Sequence, residues 1–371
     1  FSATYSICKP IMTTEMNNNT ENKNPLLTPF GTPYGAVPYD RITLDHYVPA
    51  VADCIKKEES VIENICSNSQ KATFENTIAP LDYAGTELSI VVCAFNALIN
   101  ARSYDEILTV EEQIQQMCTV HQNNISLNER LFARIKEVYE AENSHLNTAQ
   151  KRLLEQTYLM FVRGGANLKG KERDTYRELT EKLTALSLKF QENSIKDTDE
   201  FTLCITDSND LEGLPEDVIE SAANLAKESG KEGWIFTLHR PSYLPFITFC
   251  RNRELRRQMY MAYNTIGAKG NAYDNRAIVT EIVNKRLELA RLLGYSTYSD
   301  YVLAERMAQN TDAVFSMLGK LTWSYLPAAR KEMTEIEDYA RQCEGEDFDF
   351  QRWDFAYYSE KLKEKKYDLN D

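Results

Sequence analysis

Histidine is scarce in this chain. Its four copies, His46, His121, His145 and His239, stand 24 or more positions apart along 371 residues. A helical zinc site needs two imidazoles on one face, the spacing that His-Glu-x-x-His supplies at i and i+4 with its glutamate as general base. That spacing is absent. His46 reads as a residue flanking a helix start, His121 and His145 as solvated, and His239 as a strand end. Gly-x-Ser-x-Gly does not occur, and neither does the complete phosphate-loop motif Gly-x-x-x-x-Gly-Lys-Ser/Thr, since Glu172 follows Gly165–Lys171, so a nucleophile elbow and a phosphate loop of those types are excluded. The eight cysteines form no Cys-x-x-Cys pair. They read as free thiols of a reducing compartment, with Cys54 and Cys93 set in apolar helical patterns as buried groups. No unbroken apolar run reaches the roughly 18–20 residues of a membrane span.

Positive charge is also in short supply, 42 basic residues against 56 acidic, for a net charge of −14. Such a surface repels phosphate backbones and anionic lipid, which argues against nucleic acid and membrane partners. The carboxylates at Glu335, Glu337 and Asp338, and at Glu344, Glu346 and Asp347, read as solvated faces and loops. A paired acid and base of the glycosidase kind stays open at this stage. Gly164–Gly165–Ala166 reads as a turn in preference to an anion nest. The aromatic group Trp353, Phe355, Tyr357 and Tyr358 reads as a packing stripe in preference to a pocket lining.

Amphipathic helix is what the chain has in quantity. Residues 1–23 read as a disordered tail or the remnant of a leader, since the first residue is Phe1 and Phe1–Met12 is too weakly apolar for an intact signal peptide. Asn24–Pro38, rich in proline, reads as extended. Helical stripes follow at Tyr47, Val51, Cys54, Ile55, Ile62 and Ile65, and at Leu88, Val91, Val92, Phe95, Leu98 and Ile99. Further helices are predicted over Ser126–Glu142, Thr148–Arg163 and Lys171–Asn193, the last with Leu179, Leu183, Leu186 and Phe190 on its face. Around 200–250 the period changes. Phe201, Leu203 and Ile205, then Trp234, Phe236 and Leu238, alternate as half-buried strands, with a helix from Pro215 to Gly230 between them. Helices resume near Asn252. One carries Ile278, Ile282, Leu289 and Leu293 and ends at Gly294; Ser296 or Thr297 caps the next, and Thr311 caps one with the face Val314, Met317, Leu318 and Leu321. Trp353–Tyr367 is an aromatic helix. The fold class is mainly α with a small strand–helix–strand insert.

Several short motifs occur in a telling order: Pro38-Tyr-Asp-Arg-Ile, His46-Tyr-Val-Pro-Ala, Thr73-Phe-Glu-Asn-Thr-Ile78, Leu127-Asn-Glu-Arg-Leu-Phe-Ala-Arg-Ile135 and Phe161-Val-Arg-Gly-Gly-Ala-Asn-Leu168. Gly213-Leu-Pro-Glu216, Pro241-Ser-Tyr-Leu-Pro245, Leu292-Leu-Gly-Tyr295, Trp353-Asp-Phe-Ala-Tyr-Tyr-Ser-Glu-Lys361 and Tyr367-Asp-Leu369 continue it. In this order they resemble the family of thimet oligopeptidase, oligopeptidase A and peptidyl-dipeptidase (dipeptidyl carboxypeptidase), most closely the last. The resemblance implies a multi-helix lobe of a clam-shaped, neurolysin-like zinc peptidase. Residues 24–371 would be its amino-terminal helical portion, truncated before the zinc-binding region. It further implies a monomer that hydrolyses short peptides, as a peptidyl-dipeptidase releasing carboxy-terminal dipeptides through a zinc-activated water. The zinc ligands and catalytic residues of the family have no counterpart in this chain, so no catalytic or metal residue is assigned, and this chain alone is expected to be inactive. The motifs present are expected to be structural. A non-catalytic helical binding module from a split or degenerate peptidase is the alternative. Cytoplasm is the expected compartment, or periplasm if Phe1–Met12 is a leader remnant.

Overall fold

The computed structural model describes residues 24–101, 104–141 and 144–368. The tail read over 1–23, Cys8 and Leu369 lie outside the described residues. The chain divides into two compact units: one comprises the chain up to Met117 together with Ala133–Tyr158, the other Cys118–Phe132 and everything from Leu159 onward.

In the first unit Asn24–Pro38 runs extended, broken by short turns at Pro25–Leu27 and Pro33–Gly35 that proline opens, as a fixed φ and a missing N–H dictate. Helix α1 (Tyr47–Ser67) buries Tyr47, Val51, Cys54, Ile62 and Ile65 along one face. Thr73 and Asn76 cap each other across a π-turn, Phe74–Ile78, which leads into α2 (Ala79–Ala84) and α3 (Thr86–Ala101). Helix α3 turns Val91, Ala94 and Phe95 inward, and the Phe95 ring meets Tyr47 edge-on at 5.0 Å. The stretch Phe74–Ala101 is long and apolar enough to cross a membrane by length and composition alone. A search for unbroken apolar runs misses it because Glu75, Asp82 and Glu87 interrupt the sequence. On the far side of α3 Cys93 is exposed, contrary to expectation, whereas Cys54 is buried. Cys93 is two residues from Val91, on the flank turned away from α1.

Helix α4 (Asp105–Ser126) has no counterpart among the predicted helices. Of its buried positions, Ile107, Glu111, Ile114, His121 and Ile125 keep helical spacing, but two of these five are ionisable, and Asn123 and Ser126 are buried as well. Polar groups in apolar slots hide the period. Helix α5 (Glu129–Glu140) starts later than predicted, because the Asn128 side chain caps it by accepting from the Leu131 N–H at 3.0 Å. Helix α6 (Thr148–Arg163) matches its predicted bounds.

In the second unit α7 (Lys171–Glu200) outruns its predicted end by seven residues. Its face, Tyr176 and Leu179 with Leu183, packs with Leu127, Leu168 and Leu289. Strands β1 (Thr202–Ile205) and β2 (Trp234–Thr237) pair antiparallel, Thr202 opposite Thr237 and Ile205 opposite Trp234, with α8 (Glu216–Glu228) between them in sequence. Strand β1 alternates as predicted. Strand β2 buries both Ile235 and Phe236, so it is covered on two faces and not half-buried. Gly213, at φ 92°, brings its backbone so close to the Phe249 carbonyl that any Cβ would collide with it.

Helix α9 (Arg240–Phe249) begins before the predicted resumption at Asn252. Pro241 sits in its first turn, where no helical N–H is needed, and Pro245 lies inside the helix, where it removes one backbone bond. Helices α10 (Arg253–Asn264), α11 (Arg276–Leu292), α12 (Tyr298–Leu303), α13 (Thr311–Glu344) and α14 (Phe355–Tyr367) complete the chain. Gly294 takes φ 87° beyond α11, and Thr297 caps α12. Asn310, not Thr311, caps α13, its side chain accepting from the Ala313 N–H at 2.9 Å. The predicted inward face of α13 is uncovered, with Met317, Leu318 and Leu321 all exposed.

Candidate functional site

The four histidines do not converge on a metal centre. His46 ends the turn before α1 and its Nδ1 accepts from the Thr43 N–H at 3.0 Å, a capping role. His145 is exposed. His121 is buried on α4, so the solvated reading fails for it. Among the described residues no three His, Cys, Asp or Glu side chains are placed to hold a metal. Zinc requires three or four such ligands, so the described residues do not fit that ion.

His239 lies nearest to chemistry. It follows β2, and its Nε2 stands 3.0 Å from Asp199 Oδ1, both side chains more than half exposed. The pair sits at an open groove of about 480 Å³ lined along α7 by Phe190, Ser194, Ile195 and Thr198. A carboxylate-oriented imidazole needs a hydroxyl to activate. The Ser194 hydroxyl donates to the Phe190 carbonyl at 2.8 Å and that of Thr198 to the Ser194 carbonyl at 2.7 Å. Both protons are committed to the helix backbone, and no nucleophile is assembled.

The glycine turn after α6 is closed to anions as well. Gly164 N–H donates to the Met160 carbonyl at 2.8 Å, Gly165 to Val162 at 3.3 Å and Ala166 to Phe161 at 3.0 Å. No N–H of the three is left for a ligand. Gly165, at φ 88°, lies against Leu168, Leu127 and Tyr176.

The ordered motifs do meet one another. Arg163 donates to the Tyr295 hydroxyl at 3.1 Å and the Tyr301 carbonyl at 2.7 Å, and stacks over the Tyr301 ring at 4.4 Å. The glycine-turn motif is thereby tied to Leu292–Tyr295. Arg134 donates to the Asn68 and Gln70 carbonyls and to Asn76 Oδ1, tying a second pair of motifs within the first unit. Asp354, fully buried, accepts from Arg253 and Arg256 at 2.7–3.1 Å. Tyr357 and Tyr358 are buried beside it, whereas Phe355 faces solvent. The aromatic group is thus packing, though not on one stripe.

A buried polar cluster went unread in the sequence. Asp197 accepts from the Gly267 N–H and the Asn271 amide, both at 2.7 Å, and pairs with Lys269 at 3.1 Å. Burial alone would raise its pKa, but these donors and the lysine charge hold the carboxyl below its ordinary value. Asn193 donates to Asn275, which in turn donates to the Phe190 carbonyl. The signal was spacing. Leu179, Leu183, Leu186, Phe190, Asn193 and Asp197 continue one 3-and-4 rhythm past the point where it turns polar.

Comparison with known proteins gives this clamp-rich scaffold a context. The profile of Peptidase family M3 matches residues 246–371. Oligopeptidase A of Escherichia coli is 31% identical over 353 residues, covering 94% of this chain and 51% of the relative. The chain is a sequence relative of peptidase family M3. Dipeptidyl carboxypeptidase of E. coli is 29% identical over 350 residues, with 94% and 51% covered. Organellar oligopeptidase A, chloroplastic/mitochondrial, of Arabidopsis thaliana is 30% identical over 365 residues, with 96% and 45% covered. The chain spans about half the length of these M3 relatives. Its mainly α fold agrees with a helical lobe of that family.

Proposed function

We propose that this chain is the amino-terminal portion of a zinc metallopeptidase that hydrolyses short peptides and releases dipeptides from their carboxyl ends. The observation that carries the reading is alignment over 94% of the chain to proteins named as peptidases, together with motifs that lock to one another in the structure. The contribution of residues 24–368 is scaffolding. Arg163, Arg134 and the Arg253–Arg256–Asp354 cluster fix helices, and no residue of the chain is assigned a catalytic or metal-binding role. Zinc and the hydrolytic step belong to polypeptide outside it. Dipeptide release is the finer assignment; identities of 31% and 29% weigh about equally on the two branches, so product analysis decides between them. We place the protein in a reducing compartment, the cytoplasm, in keeping with seven free thiols among the described residues, and as a monomer, as the family resemblance implies.

The test compares the 371-residue chain with the protein read onward from its coding sequence. Elemental analysis and cleavage of an internally quenched short peptide are measured for both. The longer protein is expected to hold one zinc and to release carboxy-terminal dipeptides, identified by mass spectrometry, while the 371-residue chain does neither. Zinc-dependent cleavage by the 371-residue chain alone overturns the reading. A longer protein without zinc or cleavage leaves the non-catalytic binding module.

A further inference from the structure

Ser187, Phe190, Ser194 and Thr198 recur three or four residues apart along one face of α7 and line the open groove that ends at Asp199 and His239. From Phe190 to Asp199 the helix rises about 13–14 Å, at roughly 1.5 Å per residue. The apolar surface of that span comes from Phe190, 40% exposed, and from half-buried Ile195. Its polar groups are mostly acceptors. The hydroxyls of Ser187, Ser194 and Thr198 donate to the carbonyls of Leu183, Phe190 and Ser194 at 2.7–2.8 Å, so each proton is committed to the helix. What Ser187 and Thr198 still offer a ligand is lone pairs, and Ser194 already accepts from the Asn275 amide. Asp199 meets His239 through Oδ1, and among the described residues its Oδ2 takes no hydrogen bond. This is the carboxyl end of a 30-residue helix with no basic residue in its last turn, where the helix dipole adds negative potential. The lysines of that end are engaged, Lys196 with Glu192 at 2.8 Å and Lys269 with Asp197 at 3.1 Å.

These features match a cation with an apolar body. We propose that the groove binds an amphiphilic amine, a protonated primary amine on an unbranched apolar chain, its ammonium at Asp199 and Thr198 and its chain laid along α7 to the Phe190 ring. An ammonium brings three N–H donors and no acceptor, so lone pairs and a carboxylate satisfy it in full. A peptide in the same place would bring a carbonyl with every residue. Of the α7 side chains in the groove, only Gln191 has an amide N–H to give, and carbonyls covered without donors are costly. An anionic head group would meet Asp199 and the helix end as like charges. The groove lies within the second unit, and binding there needs neither zinc nor peptide cleavage, so it stands independently of the family reading.

The test titrates the 371-residue chain by isothermal calorimetry with decylammonium chloride below its micellar concentration, and with decanol and decanoate as neutral and anionic counterparts. One amine is expected to bind per chain, at least tenfold tighter than either counterpart. Asp199→Asn should weaken amine binding at least tenfold and Phe190→Ala at least threefold, each with the thermal melt of the parent, because both side chains are exposed. The ring-proton resonance of His239, assigned with His239→Gln, should move when the amine is added. No binding, several amines per chain, a counterpart within tenfold of the amine, an unmoved His239 resonance, or variants that bind more tightly than these limits each overturn the proposal. The tetrapeptide Leu-Ala-Ala-Leu amide binding as tightly as the amine would give the groove to peptide amino termini and overturn it as well. If Asp199→Asn lowers the melt, the three head groups compared on the parent chain decide by the same tenfold criterion.

Discussion

The two ends of α13 share a helix, a period and a side, yet only one of them is core. Ile336 and Ala340 are buried among the rings of α14, whereas Leu318 and Leu321 project from the same side with nothing over them. Hydrophobic burial is a property of what surrounds a side chain, and amphipathicity only states which way a helix would face if a partner were present. The packed end is further secured by a charge cluster, since Asp354 immediately precedes α14 and holds Arg253 and Arg256 of α10. The bare end has no such anchor among the described residues.

The largest effect should come from the charge cluster. Asp354→Ala leaves Arg256 buried and unpaired, and urea denaturation should record a loss of about 3–5 kcal/mol; a loss under about 1 kcal/mol would mean that the packed end does not depend on it. Ile336→Ala tests the apolar part of the same end, with about 2–4 kcal/mol lost by the same measurement.

Asp197 offers a polar form of packing to set beside both ends. Its carboxyl is held below the ordinary value when folded, so the folded state binds fewer protons there than the unfolded state. Its contribution is then complete above the unfolded carboxylate pKa of about 3.9 and is lost as pH falls through the lower folded value. Asp197→Asn should cost about 1–3 kcal/mol at neutral pH and flatten the acid limb of a stability-versus-pH curve below about pH 4. An acid limb as steep as that of the parent chain would remove Asp197 from the account. The smallest effect belongs to the bare end, where Leu321→Glu should change the stability of the isolated chain by no more than about 0.5 kcal/mol. If it matched Ile336→Ala, the contrast between the ends would collapse.

Legibility in the sequence followed a physical rule. Helices whose buried positions are apolar, such as α1, α6 and the first part of α7, were visible with bounds near those observed. Helix α4 was invisible because Glu111 and His121 occupy its inward slots, and the last two turns of α7 were lost where Asn193 and Asp197 replace leucine. Both follow the helical period, so a reading by spacing regardless of polarity would have found them. Helix α9 was not predicted, and it carries one proline in its first turn and one in its interior. For the candidate site, the absence of a linear zinc motif could be read directly. The pairing of His239 with Asp199 and the locking of Arg163 onto Tyr295 could not, because the partners lie tens of residues or more apart.

The sequence by itself determined the helical class, the two-stranded insert, the turn at Gly164–Gly165 and the order of motifs that resembles the M3 peptidases. Those features depend on local backbone preference and on the spacing of residue types, which a linear chain states outright. The tertiary structure decided which polar side chains are interior, how the motifs lock together, and that one end of α13 is core while the other is bare. Those outcomes depend on what covers each surface, and a covering surface is supplied by residues far away in the chain.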